Sequence, residues 1–407
     1  MTQKRILLCS YPFAPAGGPQ SLRWLNLVKI LSERGWQVDV LAAKPSIHDS
    51  FYDESLLKEL PSDVTVFRTY PGIYYSLKHI KKRPVRGFSK ATVEWFPFGV
   101  QRGNKLVKSQ KYDAIISSGL PFVAHLVGYF LKRKGQLTWI ADYGDPFGFN
   151  PMTSKVKRLI GRSIEQHILK KVDGVVVPLE EMRKQFLEFY PFLKKALTKE
   201  IGNGIPDMFQ QIKPAHSSGK FVISYVGSFY KGDREPTQFF EALNMLKGNQ
   251  KIMDNIEVIF AGNTEQRYID YAHQLKINDL IQFLGRISYE KSVSILKGSS
   301  VILFIGSTWD YYHFQYKTAE YAASGRPIMA IRQSPTDCGI DFIEKHKLGL
   351  VVSNDKEEMA RAIDRLFTLW NNNALESSFG RFPKETFYWQ TRAKEWEEFL
   401  LSIMSRD

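Results

Sequence analysis

Cysteine is almost missing: Cys9 and Cys338 are the only two in 407 residues. Neither sits in a metal-ligand spacing, and two cysteines build no disulfide framework, so the expected setting is a reducing compartment. Long hydrophobic runs are missing too. The longest apolar stretch, Leu120 to Leu131, is interrupted by His125 and is too short to span a bilayer. Met1 to Arg5 is polar, and Ile6 to Leu8 is far too short for a signal core, so a cytoplasmic protein is expected. No Asp-x-Asp occurs, which removes the usual carboxylate pair for a divalent cation on a nucleotide sugar; the expectation is chemistry without a metal and no cofactor. The G-x-G-x-x-G fingerprint is absent, which speaks against a nicotinamide or flavin site. G-x-x-x-x-G-K-[ST], G-x-S-x-G and H-E-x-x-H are absent as well, and there is no low-complexity tract or short repeat.

What the chain does have is positive charge and a large apolar fraction. There are 56 Lys and Arg against 42 Asp and Glu, a formal net charge of +14, and 43% hydrophobic residues. Such a chain buries a substantial core, and its length suggests two domains. The charge points to an anionic partner or to plain solubility. It is clustered. Lys78, Lys81, Lys82, Arg83, Arg86 and Lys90 share one segment with Tyr74, Tyr75, Leu77, Ile80 and Phe88. Lys155, Lys157, Arg158, Arg162, Lys170 and Lys171 fall in a second, helical segment. Basic residues mixed with apolar ones suit an anionic membrane surface, for which Lys81, Lys82, Arg83 and Arg86 are the candidates. None of the usual nucleic-acid recognition motifs is present, so no nucleic-acid partner is expected.

Strand and helix signals alternate, which predicts parallel sheets with crossover helices. Arg5 to Cys9 is the first strand. Pro19 opens a helix with Leu22, Leu25, Val28 and Leu31 at helical spacing. Further strands follow at Val38, Val64, Asp113, Thr138 and Gly174. Near residue 205 the rhythm restarts after the turn-rich IGNGIP, and Ile212 to Lys220 reads as a linker. The expected domains are residues 1–208, joined by a C-terminal helix in 387–407, and residues 215–386. Both should be doubly wound α/β halves facing across a cleft, with ligands beyond the carboxyl ends of the strands.

Four places carry candidate chemistry. In QYKTAEYAASGRPIMAI, Lys317 and Glu320 share one face of a short helix near its positive end, which suits a diphosphate and a ribose; the alternative is a solvated ion pair. Gly17 and Gly18 precede the first helix, where backbone amides approach a phosphate or sugar closely, and Arg23 lies just inside that helix; the alternative is a tight turn. Arg234, in GSFYKGDREP, suits a bidentate phosphate contact, whereas Lys231 reads as solvated. Asp142 and Asp145, in ADYGDPF, either orient an acceptor hydroxyl and take its proton or form a turn before Pro146. Tyr312 and His313 either touch the sugar or belong to a hydrophobic plug, and His125 reads as a packed histidine.

With these pieces in place the chain resembles the retaining glycosyltransferases of family 4, of GT-B fold. The resemblance spans nearly the whole length. It rests on Gly17-Gly18 with Arg23, IGNGIP, YVGSFYKGDREP, AGNTEQ, FLGRI and KTAEYAASGRPIMAI. It implies that Glu320 binds the donor ribose, that Arg234 and Lys317 bind its diphosphate, and that Gly18 lies near the diphosphate and sugar. Gly285, Arg286 and Ile287 would border the base, and Asp142 or Asp145 would lie on the acceptor side. The family's Glu-x7-Glu motif has Tyr312 in place of its first Glu. The implied activity is transfer of a hexose or related sugar from a nucleoside-diphosphate sugar to a hydroxyl, with retention. The acceptor would be a saccharide, lipid-linked, in bacterial surface polysaccharide or lipopolysaccharide synthesis. The enzyme would lie peripherally on the inner face of the cell membrane. The alternatives are a catalytically silent GT-B binding partner and a GT-B sugar-nucleotide epimerase.

Overall fold

The computed structural model describes residues 3–47, 52–73, 93–135, 137–150, 153–193, 197–206, 208–215, 219–229, 232–308 and 316–405. The chain divides into two compact units, residues 1–204 with 388–407, and residues 205–387.

The first unit alternates β1 (Arg5–Ser10), α1 (Pro19–Glu33), β2 (Gln37–Ala43), β3 (Thr65–Thr69), α2 (Phe96–Ser109), β4 (Ala114–Ser118), α3 (Val123–Gly135), β5 (Thr138–Asp142), α4 (Lys155–Leu169), β6 (Gly174–Val177), α5 (Glu180–Phe189) and β7 (Thr198–Glu200). The sheet order is β3-β2-β1-β4-β5-β6-β7, with every pairing parallel. The order reverses between β1 and β4, which is where a doubly wound sheet opens its ligand crevice. The C-terminal helix, Trp389–Met404, packs on α1, with the rings of Trp24 and Trp396 5.0 Å apart. Helix α2 was not among the expected elements, and it holds Pro97, Gly99 and Gly103. Pro97 sits in the first turn, where its missing N–H costs nothing. Gly103 packs against α3 so closely that a Cβ would lie 2.7 Å from a Leu131 methyl. The glycine is a contact surface there.

The second unit repeats the winding: β8 (Phe221–Val226), α6 (Thr237–Met245), β9 (Ile256–Ala261), α7 (Gln266–Gln274), β10 (Ile281–Gly285), α8 (Tyr289–Gly298), β11 (Val301–Ile305), α9 (Tyr316–Ser324), β12 (Ile328–Arg332), α10 (Cys338–Lys345), β13 (Gly349–Ser353) and α11 (Lys356–Asn371). Its sheet runs β10-β9-β8-β11-β12-β13, again parallel, with the switch between β8 and β11. Helix α10 was also not expected; its N-cap is Asp337, whose side chain accepts from the Ile340 amide at 3.0 Å. The beginning of the segment read as a linker is fastened to this unit. The Ala215 amide donates to the Ser294 carbonyl at 2.8 Å, and Lys297 Nζ donates to the Ile212 carbonyl at 2.9 Å. Among the described residues, no helix is long and apolar enough to cross a membrane.

Candidate functional site

The carboxyl edge of the second sheet is drawn together by backbone. The Gly227 amide donates to the Ala261 carbonyl and the Gly262 amide to the Gly285 carbonyl, each at 2.8 Å, so the turns after β8, β9 and β10 stack. Gly262, at φ +139°, lies so near Gly227 that a Cβ would sit 2.0 Å from its carbonyl oxygen. Only glycine fits there. Helix α9 is tied to the same edge by Tyr321, whose hydroxyl accepts from the Val226 amide at 3.1 Å and donates to the Val226 carbonyl at 2.9 Å.

Charge is arranged around that tie. Lys317 Nζ lies 4.8 Å from the ring centre of Tyr225 and 5.2 Å from that of Phe304, and it donates to the Tyr225 hydroxyl at 3.5 Å. The Tyr321 hydroxyl is pushed well above its ordinary range by burial first and by Tyr225 next, while the nearby Arg234 guanidinium acts in the opposite sense. The loop bearing Arg234 is fixed by its neighbour. Asp233 Oδ1 accepts from Ser307 Oγ and the Thr308 amide at 2.7 Å and from Thr308 Oγ1 at 3.0 Å. Gln333 then clamps the Asp233 and Gly306 carbonyls at 2.7 and 2.6 Å. Arg234 is half-buried, its Nε 3.8 Å from Asp233 Oδ2.

Glu320 stands apart from these paired groups. It is 9% exposed, and its Oε1 is buried without a hydrogen-bond partner. Burial pushes its carboxyl up to about 7, and the Tyr289 hydroxyl, at the start of α8, holds that rise back. A buried carboxyl oxygen without a partner is costly.

The first unit answers its candidates differently. Asp142 ends β5 with no exposure, and both oxygens of its carboxylate are hydrogen-bonded. Oδ2 accepts from Gln20 Nε2 at 3.0 Å, Arg23 Nε at 3.1 Å and Trp24 Nε1 at 2.8 Å, while Oδ1 accepts from Arg23 Nη2 at 3.0 Å. The remaining Arg23 donors go to the Ile201 and Gly202 carbonyls and to Asn203 Oδ1. Asp142 therefore anchors the unit through four accepted hydrogen bonds, and Arg23 points inward instead of toward a ligand. Asp145 is partly exposed, three residues further along. The loop that carries it is held by Glu165, missed in the sequence because it lies inside a basic helix. Glu165 accepts from the Phe147 and Gly148 amides at 3.1 and 2.9 Å and from the Tyr190 hydroxyl at 2.5 Å. Gly17 and Gly18 lie between β1 and α1, with Gly18 at φ +101° capping the helix. His125 is fully buried, its Nδ1 2.8 Å from Ser117 Oγ, and burial pushes it down to about 3, so it is a packed neutral ring. Gly285 ends β10 at φ +62°, and Arg286 beside it is exposed.

Tyr312 and His313, Lys231, and the basic group Lys81, Lys82, Arg83 and Arg86 lie outside the described residues. Tyr225, Tyr289, Tyr321 and Asp233 were also missed. Each belongs to the site through a contact distant in sequence, and only Asp233 and Tyr321, adjacent to Arg234 and Glu320, had a local signal.

Residues 220–368, all within the second unit, match the family model described as Glycosyl transferases group 1. The second unit carries a group 1 glycosyl transferase domain. Over 315 residues the chain is 26% identical to an uncharacterized glycosyltransferase of Methanocaldococcus jannaschii, covering 72% of this chain and 76% of that protein. It is similar to the structure of sucrose-phosphate synthase from Thermosynechococcus elongatus, with TM-score 0.73 and 18% identity over the full length of both chains. It is also similar to a lipopolysaccharide outer core galactosyltransferase, with TM-score 0.64 and 13% identity over 98% of this chain and 99% of that one. The structural likeness establishes the GT-B fold, and with the group 1 domain the chain is a glycosyltransferase.

Proposed function

We propose that this glycosyltransferase moves a sugar from a nucleoside-diphosphate sugar to a saccharide hydroxyl, with retention and without a divalent metal. The acceptor is lipid-linked, in surface polysaccharide or lipopolysaccharide synthesis, and the enzyme works peripherally at the membrane. The observation that carries the reading is the buried, unpartnered oxygen of Glu320 beside Lys317. Two vicinal hydroxyls of a ribose supply the donors that oxygen lacks. The diphosphate then meets Lys317 in the first turn of α9, and Arg234 on its pinned loop.

In the transfer, the bond between the anomeric carbon and the diphosphate oxygen breaks, and its electron pair stays on the diphosphate. Arg234 and Lys317 stabilise that growing charge from fixed positions. The acceptor oxygen bonds to the anomeric carbon on the face the diphosphate leaves, which preserves configuration, and its proton passes to the departing phosphate. Asp145, whose loop Glu165 holds, orients the acceptor. Asp142 is assigned no chemical step, because it is fully buried and held by Arg23, Trp24 and Gln20. The absence of Asp-x-Asp supports the metal-free reading, and the galactosyltransferase likeness supports the lipopolysaccharide setting.

The test is a panel of nucleotide sugars screened by thermal shift, followed by turnover in chelator with wild type, Glu320→Ala and Arg234→Ala. Saturable donor turnover lost in both variants is expected. Unchanged turnover in both overturns the site, and epimerisation of the free donor without transfer reassigns the activity.

A further inference from the structure

Helix α4 (Lys155–Leu169) carries two apolar faces, although the fold covers one. Gly161, Glu165, Ile168 and Leu169 turn inward. On the opposite side, Val156, Leu159 and Ile160 follow the three-and-four spacing of a single helix face. They are 67%, 67% and 59% exposed, and Ile164 beside them is 39% exposed. Four of the fourteen large hydrophobic side chains exposed among the described residues thus sit on one fifteen-residue helix. A soluble helix buries its apolar stripe and shows water its charges; here a second stripe faces outward.

The stripe is bordered by one sign of charge. Lys155 and Arg162 lie on one side of it and Lys157 on the other, with Lys170 and Lys171 just past the helix end. Lys170 Nζ sits 5.8 Å over the ring of Phe192, itself 38% exposed, which extends the patch. The helix has one acidic residue, Glu165, and that carboxyl is buried and spent on the Phe147 and Gly148 amides and the Tyr190 hydroxyl. No negative charge on this helix therefore opposes an anionic surface.

We propose that α4 is the face with which this chain lies in the surface of an anionic phospholipid bilayer. Val156, Leu159, Ile160 and Ile164 enter the boundary between headgroups and acyl chains, and the flanking lysines and arginine meet lipid phosphates. A protein partner fits less well, since the cores of such interfaces are depleted in lysine. The location suits the chemistry. Helix α4 follows the loop from the carboxyl end of β5, so its first two turns, which hold the stripe, adjoin the segment bearing Asp145. An acceptor anchored in the same bilayer would reach that segment without leaving its membrane. This placement rests on the lipid-linked acceptor reading above only for what the bilayer presents.

The test is co-sedimentation of the full chain with phosphatidylcholine vesicles, with or without phosphatidylglycerol. Wild type is expected to sediment with the anionic vesicles, less so at high salt, and to stay in solution with the neutral ones. V156S/L159S/I160S and K155Q/K157Q should each lower the partition constant about tenfold or more. Exposed positions leave the fold intact, so both variants should keep the melting temperature, and both should still transfer sugar to a water-soluble acceptor. Leu57→Ser, an exposed leucine elsewhere on the unit, should change nothing. Wild type remaining in solution, or the triple variant sedimenting unchanged, overturns the proposal while leaving the transferase reading intact. A wild-type dimer that the triple variant dissolves, with no vesicle binding, assigns the stripe to self-association instead. Vesicle binding without any turnover would retain the docking face and refute the transferase reading.

Discussion

Each of the two sheets has a buried carboxyl group near its carboxyl edge, and the two groups are treated in opposite ways. Asp142 in the first unit accepts four hydrogen bonds, two of them from an arginine whose other donors are also spent. Glu320 in the second keeps one oxygen without a partner. Burial costs both carboxyls hydration, and the first recovers it from the protein itself. The second has been left a debt that a ligand's hydroxyl groups can settle. The pair shows that two buried carboxyls can differ in how fully the protein itself satisfies them.

That contrast can be broken from either side. The largest effect should come from Asp142→Ala, which strands the buried Arg23 guanidinium; a loss of about 3–5 kcal/mol is expected in urea unfolding. A loss under about 1 kcal/mol would return Asp142 to the list of chemical candidates. Next, Arg234→Ala should lower kcat by about 10²–10³, the size seen for fixed groups that stabilise developing charge, with little change in Tm. Glu320→Gln should weaken donor binding about tenfold or more, because its amide offers the ribose a poorer acceptor than a charged carboxylate. The same change should stabilise the free protein. The Glu320 pKa of about 7 lies above the ordinary carboxyl value of 4.5, so between those values the folded state holds more proton and stability falls as pH rises. The carboxylate therefore costs stability at neutral pH, up to about 3 kcal/mol, and Gln removes that cost. Smallest should be the pH effect on affinity. Donor binding favours the ionised carboxylate, so affinity should fall by at most about tenfold per unit as pH drops below about 7, and the fall should vanish in Glu320→Gln.

The winding was legible because strands buried on both faces read as continuous apolar runs, as VILFI at β11 does. Helices α2 and α10 were not legible. In α2, Pro97 sits in the first turn and Gly103 packs against Leu131, roles set by the tertiary contact, and α10 depends on the Asp337 cap. In the site, Lys317 and Glu320 were legible because their relation is local, three residues along one helix. Arg23 was misread for the opposite reason: its partner Asp142 lies 119 residues away, and only the sheet brings them together. Glu165 was hidden in the same way, by partners on two other elements.

The most direct test of the central claim is calorimetric titration of the selected nucleotide sugar into wild type and Glu320→Gln, near neutral pH, in two buffers of different ionisation enthalpy. Wild type should bind the donor with release of a proton, and Glu320→Gln should bind it about tenfold or more weakly with no proton released. Equal affinity and equal proton exchange in the two proteins would contradict the account.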